Sequence, residues 1–432
     1  MKPWSWIPTL YFAQGLPYVV VMTVAGIMLK RLGMSNADLA LYTSGLYLPW
    51  VIKPLWSPLV DILKTKRWWI VVMQIVIGAA LGGVAFTLQA PLAIRCCLTF
   101  MWLAAFSSAT HDIAADGFYM LALTEQKQAY FIGIRNTFYR IAVIFGQGIL
   151  VMFAGMLEEF YSERLPEAVA VPRAWAVTFY ILTALFVLLC VYHRRMLPRP
   201  DKDCAVAGER RSSFREVLRD FGGTFGAFFR KEGIVPALLF ILFYRFAESQ
   251  LVKITAPFLL DAPEAGGLGL STAQVGFVYG TVGVVALTLG GIAGGIVLSR
   301  KGLRACLWGM TVAMNLPNLV YLYLAMVPPS GMAIVSGCVA VEQLGYGFGF
   351  TSLTCFMMLF SAGRHQTAHY ALCTGFMALG MMAPGMFSGW LEEWLGYRNF
   401  FVWIMGCTLP SFWVTARIRL LLDKRFRADN NG

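Results

Sequence analysis

Charge is what this chain has least of. Only 13% of its 432 residues are Asp, Glu, Lys or Arg, against about 25% in an ordinary soluble domain. So few charged side chains cannot coat a water-soluble surface, which excludes a string of soluble domains. Catalytic signatures are missing too. No Gly-x-x-x-x-Gly-Lys-Ser/Thr run, no His-Glu-x-x-His and no Gly-x-Ser-x-Gly is present, so nothing points to ATP use, zinc hydrolysis or a serine nucleophile. The nine cysteines show no Cys-x-x-Cys spacing and read as small reduced core residues. His365 and His369 share the i, i+4 spacing of a metal pair but have no evident third ligand, so neither a metal nor a cofactor is expected. Met1-Lys2-Pro3 runs into an apolar stretch without a small-residue cleavage site, so a cleaved signal peptide is not expected.

What is abundant is apolar: 58% of the residues are hydrophobic. They fall in runs that reach the ~20 residues needed to cross a bilayer. Twelve spans are expected, at residues 6–29, 39–60, 68–88, 92–123, 130–157, 174–192, 234–260, 273–298, 303–327, 332–360, 367–391 and 400–421. The fold class is therefore an all-α integral membrane protein. Pro49, Pro54 and Pro58 in span two and Pro236 and Pro257 in span seven predict kinks there, which lipid tolerates only against protein or water. The net charge of +12 lies between spans rather than on one basic face, which argues against nucleic acid as a partner. Lys64, Lys66, Arg67, the many bases of 194–233, Arg300, Arg304 and the basic C-terminal tail fall on one side. Asp38, Glu158, Glu159, Asp261, Glu392 and Glu393 fall on the other. By the positive-inside rule, both termini and the 194–233 connection face the cytoplasm.

The chain repeats itself. At a shift of about 234–236 residues, Phe12-Ala13-Gln14 matches Phe246-Ala247-Glu248, and Ser35-Asn36-Ala37 before span two matches Ser271-Thr272-Ala273 before span eight. Phe153-Ala154-Gly155-Met156-Leu157-Glu158-Glu159 closes span five as Phe387-Ser388-Gly389-Trp390-Leu391-Glu392-Glu393 closes span eleven. Three matches in one order and register predict a parallel repeat of two six-helix halves, a build used by one large transporter class. The expected division is a first bundle at 1–193, a basic linker at 194–233 and a second bundle at 234–432.

Two layers of resemblance follow from these residues. Gly295 to Arg304, with Ser299-Arg300-Lys301-Gly302 at its centre, resembles the Gly-x-x-x-Asp-Arg-x-Gly-Arg/Lys loop of the major facilitator superfamily, with Ser299 in place of the Asp. The first half keeps Asp61 and follows it with Lys64, Lys66 and Arg67. Such loops can latch helices that rock during transport, although an ordinary positive-inside loop would also carry these bases. More closely, Gly15-Leu16-Pro17, Lys53-Pro54-Leu55-Trp56-Ser57-Pro58-Leu59-Val60-Asp61, His111-Asp112-Ile113-Ala114-Ala115-Asp116 and Tyr244-Arg245-Phe246-Ala247-Glu248 resemble segments of the AmpG-type muropeptide permeases. His111 departs from the Gln usual there. The resemblance implies proton-driven import of cell-wall anhydromuropeptides across the bacterial inner membrane, by a protein most of whose superfamily act as monomers. Acetyl-CoA transporters and some siderophore permeases share the wider group, so a siderophore or an acyl-CoA-type solute is the alternative cargo.

Ionisable groups within spans are costly and mark pathways when they face partners or water. Gln14, Arg245, Glu248 and Glu342 fall near the middle of their spans. Glu248 is a candidate for proton coupling, or else it only neutralises Arg245. Asp112 and Asp116, one turn apart on one helix face, come level with Arg135 and Arg140 on span five. That group either passes a proton as its ion pairs exchange or is a fixed charge network. Lys53 would serve an anionic substrate, would pair with Asp112, or would snorkel to the surface. Arg135, Arg140 and Arg245 could grip substrate carboxylates, and Asn136 and Tyr139 could meet sugar hydroxyls. Two other classes remain in view: an intramembrane enzyme built on His111, Asp112 and Asp116, and a membrane receptor that binds without transporting.

Overall fold

Long apolar runs with few interior breakers become helix, because only helices and closed barrels satisfy every backbone group in lipid. The computed structural model describes residues 2–90, 92–200, 203, 214–327, 329, 331–363 and 366–430, and no strand occurs among them. Among the described residues, nine helical stretches are long and apolar enough to cross a membrane. Two of them are double. Thr272–Met326 and Ala368–Leu420, at 55 and 53 residues, each turn back at one glycine, Gly302 (φ 75°, ψ 160°) and Gly396 (φ 72°, ψ 158°). That backbone region is open almost only to glycine. Span two supplies the remaining crossing in two pieces, Asn36–Gly45 and Leu48–Leu63, so the described helices account for twelve spans.

The kinks lie at positions other than those the prolines predicted. Span two breaks at Leu46–Tyr47, ahead of Pro49, which occupies the second residue of the new helix, where its missing N–H costs nothing. Span seven breaks at Tyr244–Arg245, between Ile234–Phe243 and Phe246–Leu260, while Pro257 stays inside the second helix. Arg245 there leaves helical geometry (φ −107°, ψ 23°). Short π-helical turns widen span one at Val20–Val24, span five at Phe145–Leu150 and span eight at Gly276–Gly283. The linker also holds a helix, Phe214–Phe229, whose Phe228 is fully buried against Phe360, His369 and Phe376.

The residues divide into two compact units. The first comprises Met1–Met34, Ile52–Phe214 and Ser271–Gly280. Its core gathers Trp6, Leu10 and Tyr11 with Phe118, Tyr119 and Phe131. The second comprises Ser35–Val51, Arg215–Leu270 and Thr281–Gly432, with a core around Phe240, Tyr244, Leu307, Phe356 and Val414. Each unit thus includes one short segment from the opposite half of the sequence.

The repeat signal at the ends of spans five and eleven becomes a pair of equivalent clasps. In the first unit a Cβ on Gly155 would stand 2.2 Å from the backbone N of Ala273, so only glycine lets the start of span eight approach. Three residues on, Glu158 accepts from Thr272 Oγ1 (2.6 Å), Trp175 Nε1 (2.7 Å) and Arg31 Nε (3.1 Å). In the second unit a Cβ on Gly389 would stand 1.8 Å from the carbonyl O of Asn36. Glu392 there accepts from Asn36 Nδ2 (2.7 Å) and Glu393 from the Ala37 N–H (2.9 Å). Thr272 and Asn36 occupy the same place in the repeat.

Candidate functional site

In the first unit, Pro-containing span two carries Lys53 to face span four, and the helical period puts Asp112 and Asp116 on one side of that span. Lys53 Nζ lies 2.7 Å from Asp112 Oδ2, and Gln14 Nε2 donates to Asp112 Oδ1. Arg135 Nη1 pairs with Asp116 Oδ1 at 3.2 Å. Tyr11 binds the two partners together: its hydroxyl donates to Asp116 (3.3 Å) and accepts from Arg135 (3.2 Å), whose guanidinium also lies over the Tyr11 ring, 4.7 Å from its centroid. The result is two neighbouring ion pairs, their acids from span four and their bases from spans two and five, each braced by a neutral side chain of span one, Gln14 in one and Tyr11 in the other. Charge-assisted bonds of this kind hold well inside lipid and re-form with new partners when one is displaced. Arg140 is half-buried and joins no ion pair among the described residues. Tyr139 is half-buried and Asn136 is exposed.

His111 faces away from this set. Gln74 bridges His111 Nε2 (3.0 Å) and His193 Nδ1 (2.9 Å), and His193 Nε2 meets Thr9 Oγ1 (3.0 Å). The imidazole is thus engaged between spans one, three, four and six, in a chain of contacts that ends at the Thr9 hydroxyl.

In the second unit, the break at Tyr244–Arg245 decides the geometry. Tyr244 turns its hydroxyl to Ser352 Oγ (2.8 Å) and Gly349 O (3.2 Å). Arg245 bonds the Tyr346 hydroxyl and lies 5.0 Å from the centroids of Tyr346 and Phe350. Arg245 therefore binds the aromatic face of span ten and makes no ion pair with Glu248. Glu248 is 5% exposed, and its Oε2 is buried without a hydrogen-bond partner. Glu342 is buried on span ten and accepts from Gln343 Nε2 (2.9 Å) and Tyr321 OH (3.2 Å), neutral donors only.

Arg67 donates to the carbonyls of Leu197 (3.3 Å) and Arg194, and Asp203 accepts from the N–H groups of Lys66 (2.7 Å) and Arg67 (3.1 Å). The Asp203 carboxylate thereby satisfies free donors at the start of span three, where a negative charge is favoured. Lys64, Arg300 and Arg304 are exposed, and the Asp61 side chain lies outside the described residues. His365 also lies outside them, while His369 Nε2 faces Thr224 O at 3.3 Å.

Comparison with known proteins decides the family. The major facilitator superfamily model matches residues 9–372. The chain belongs to the major facilitator superfamily. It is 24% identical to a putative transporter AmpG 4 of Rickettsia felis over 409 residues, 93% of this chain and 92% of that one. It is also 24% identical to the anhydromuropeptide permease of Escherichia coli K12 over 431 residues, 97% and 80% of the two chains. Among solved structures it superposes on the nucleoside transporter NupG (TM-score 0.68, 15% identity, 95% and 97% covered) and on a bacterial homologue of the human lysosomal transporter Spinster (0.66, 17%, 99% and 99%). These are transporters, not enzymes, and the chain is a multi-pass membrane transporter that resembles the AmpG-named proteins across most of its length.

In this superfamily member, sequence reasoning overlooked Lys253. It lies in span seven, 8% exposed, with Nζ 3.2 Å from Thr43 Oγ1 and 4.9 Å from the Tyr47 ring centroid. The rule that singled out Lys53, a cation within an apolar run, applies equally to Lys253.

Proposed function

We propose that this transporter imports anhydromuropeptides across the bacterial inner membrane, driven by protons and working by alternating access as a monomer with both termini cytoplasmic. The observation that carries the reading is the match to the anhydromuropeptide permease of Escherichia coli along 97% of this chain. The buried charges support it. Lys53, Arg135, Arg140 and Arg245 offer positive charge to the carboxylates of a peptide stem, and Gln14, Asn136, Tyr139 and Glu342 offer hydrogen bonds to sugar hydroxyls and amides. Glu248, whose Oε2 has no partner, can take a proton without first breaking an ion pair. Asp112 and Asp116 must exchange partners to do so. The working bundles are residues 1–193 and 234–432, joined by the 194–233 linker.

Uptake of labelled anhydromuropeptide into proteoliposomes tests the proposal. Accumulation should appear when an inward proton gradient is imposed and vanish when it is collapsed. Accumulation indifferent to the gradient removes proton coupling, and binding without accumulation makes the protein a receptor. A thermal-shift panel of anhydromuropeptides, siderophores and acyl-CoA decides the cargo, and stabilisation by either of the last two groups alone would replace the muropeptide assignment.

A further inference from the structure

Lys253 enters none of the ion pairs formed by the described residues. An ammonium carries three donors, and here Nζ has one hydroxyl acceptor and one aromatic face. The Thr43 hydroxyl already spends its own proton on Leu39 O (2.7 Å), so it accepts from Lys253 and can do no more for it. Next to it, Ser44 is fully buried and its Oγ has no hydrogen-bond partner. Both side chains border Gly385 of span eleven: a Cβ there would stand 2.8 Å from Ser44 Oγ and 3.5 Å from Lys253 Cγ. The stem of the cation and the idle hydroxyl therefore both pack closely against Gly385 in the second unit, while the ammonium reaches Thr43, the residue next to Ser44.

Burying an ammonium without an anion costs several kcal/mol in lipid or in protein, and an orphaned hydroxyl adds to that cost. Both deficits disappear together if a ligand brings one negative charge with two acceptor oxygens. We propose that Lys253 and Ser44 form a binding site for a single carboxylate of the transported solute, with the Tyr47 ring as the adjoining flat surface. One ammonium balances one negative charge, which matches a carboxylate and leaves a phosphate dianion half neutralised. The helix Asn36–Gly45, which carries Thr43 and Ser44, covers Lys253, so the site fills when that helix parts from span seven. The site rests on the carrier reading above and adds to it a selectivity for acidic over amidated cargo.

The full-length protein in proteoliposomes tests this with Lys253→Met, which keeps length and apolar volume, and Lys253→Arg, which keeps charge. Uptake is measured for an anhydromuropeptide and for the same compound with its stem carboxylates amidated. Wild type should favour the acid, and Lys253→Met should raise KM for the acid about tenfold, the scale of one lost ion contact, while leaving the amide unchanged. Lys253→Arg should keep most of the preference. An equal loss on both forms, or an intact preference in Lys253→Met, overturns the site. A second measurement needs no transport substrate: acylation of Lys253 by a water-soluble amine-reactive ester in nanodiscs, followed by mass spectrometry. Glutarate should slow the modification and neutral glutaramide should not. A Lys253 that is never acylated, or is acylated at a rate indifferent to glutarate, refutes the proposal. Should wild type carry neither muropeptide, the cargo assignment fails and the acylation result alone decides Lys253.

Discussion

Neutralising Asp112 isolates what the charge network of the first unit contributes. Asp112→Asn keeps the side chain's size and leaves Lys53, 2.7 Å away, as a cation without its anion. Removing one partner of a buried pair costs about 3–5 kcal/mol, because the other charge stays behind uncompensated. The side chains of Lys53 and Asp112 are 23% and 20% exposed, so partial solvation places the loss at the lower end, about 3 kcal/mol, or roughly 10² in the unfolding equilibrium. Adding Lys53→Met to Asp112→Asn removes the stranded charge, and the double variant should regain most of the loss, since apolar replacement of a buried pair is often neutral. Denaturant unfolding of wild type, Asp112→Asn, Lys53→Met and the double variant in one detergent, followed by tryptophan fluorescence, gives the coupling energy as a double-mutant cycle. If Asp112→Asn stays within about 1 kcal/mol of wild type, or the double variant is no better than the single, the pair does not hold this unit together. Transport measured on the same samples then separates the roles. A folded Asp112→Asn protein that binds cargo but fails to move it assigns span four to coupling, and a loss that only follows folding assigns it to structure.

Glu248→Gln should abolish gradient-driven accumulation in proteoliposomes while the thermal midpoint stays near that of wild type; normal accumulation would move the proton site elsewhere. Gly389→Ala forces a Cβ to within 1.8 Å of the Asn36 carbonyl, and because backbone must move the expected loss is about 1–3 kcal/mol. Thermal unfolding indistinguishable from wild type would show that the clasp has slack. Glu158→Ala strands the indole N–H of Trp175 and the hydroxyl of Thr272, and should cost about 2–3 kcal/mol. Glu167→Ala removes a partner of Arg31 that is 73% exposed and should cost less than about 0.5 kcal/mol. Equal effects in the two would contradict the burial argument.

Most of the fold was legible because lipid imposes a length and a composition on each crossing, and the twelve runs met both. The break in span two was half legible: its prolines announced a disruption, but the turn fell at Leu46–Tyr47, ahead of them. Span seven misled more. Neutralisation of Arg245 by Glu248 presumes an unbroken helix, and the interruption at Tyr244–Arg245 turns the guanidinium to Tyr346 instead. Pairing of Lys53 with Asp112 was one of the stated options, since both had to find partners within the bilayer. Lys253 needed a contact that no local pattern contains, because the hydroxyl that receives it lies 210 positions away in the chain. The repeated Gly-x-x-Glu of spans five and eleven was visible as text, and its meaning depended on Thr272 and on Asn36, the latter 356 residues from Glu392.

The exchange of short segments between the two units has a bearing on how the polypeptide can be assembled. Residues 271–280 complete the unit otherwise drawn from the first half, and residues 35–51 complete the other. Severing the backbone between spans six and seven would leave each fragment missing a piece that its counterpart carries. Neither fragment would be self-sufficient, and reconstitution would require both to be synthesised and inserted together.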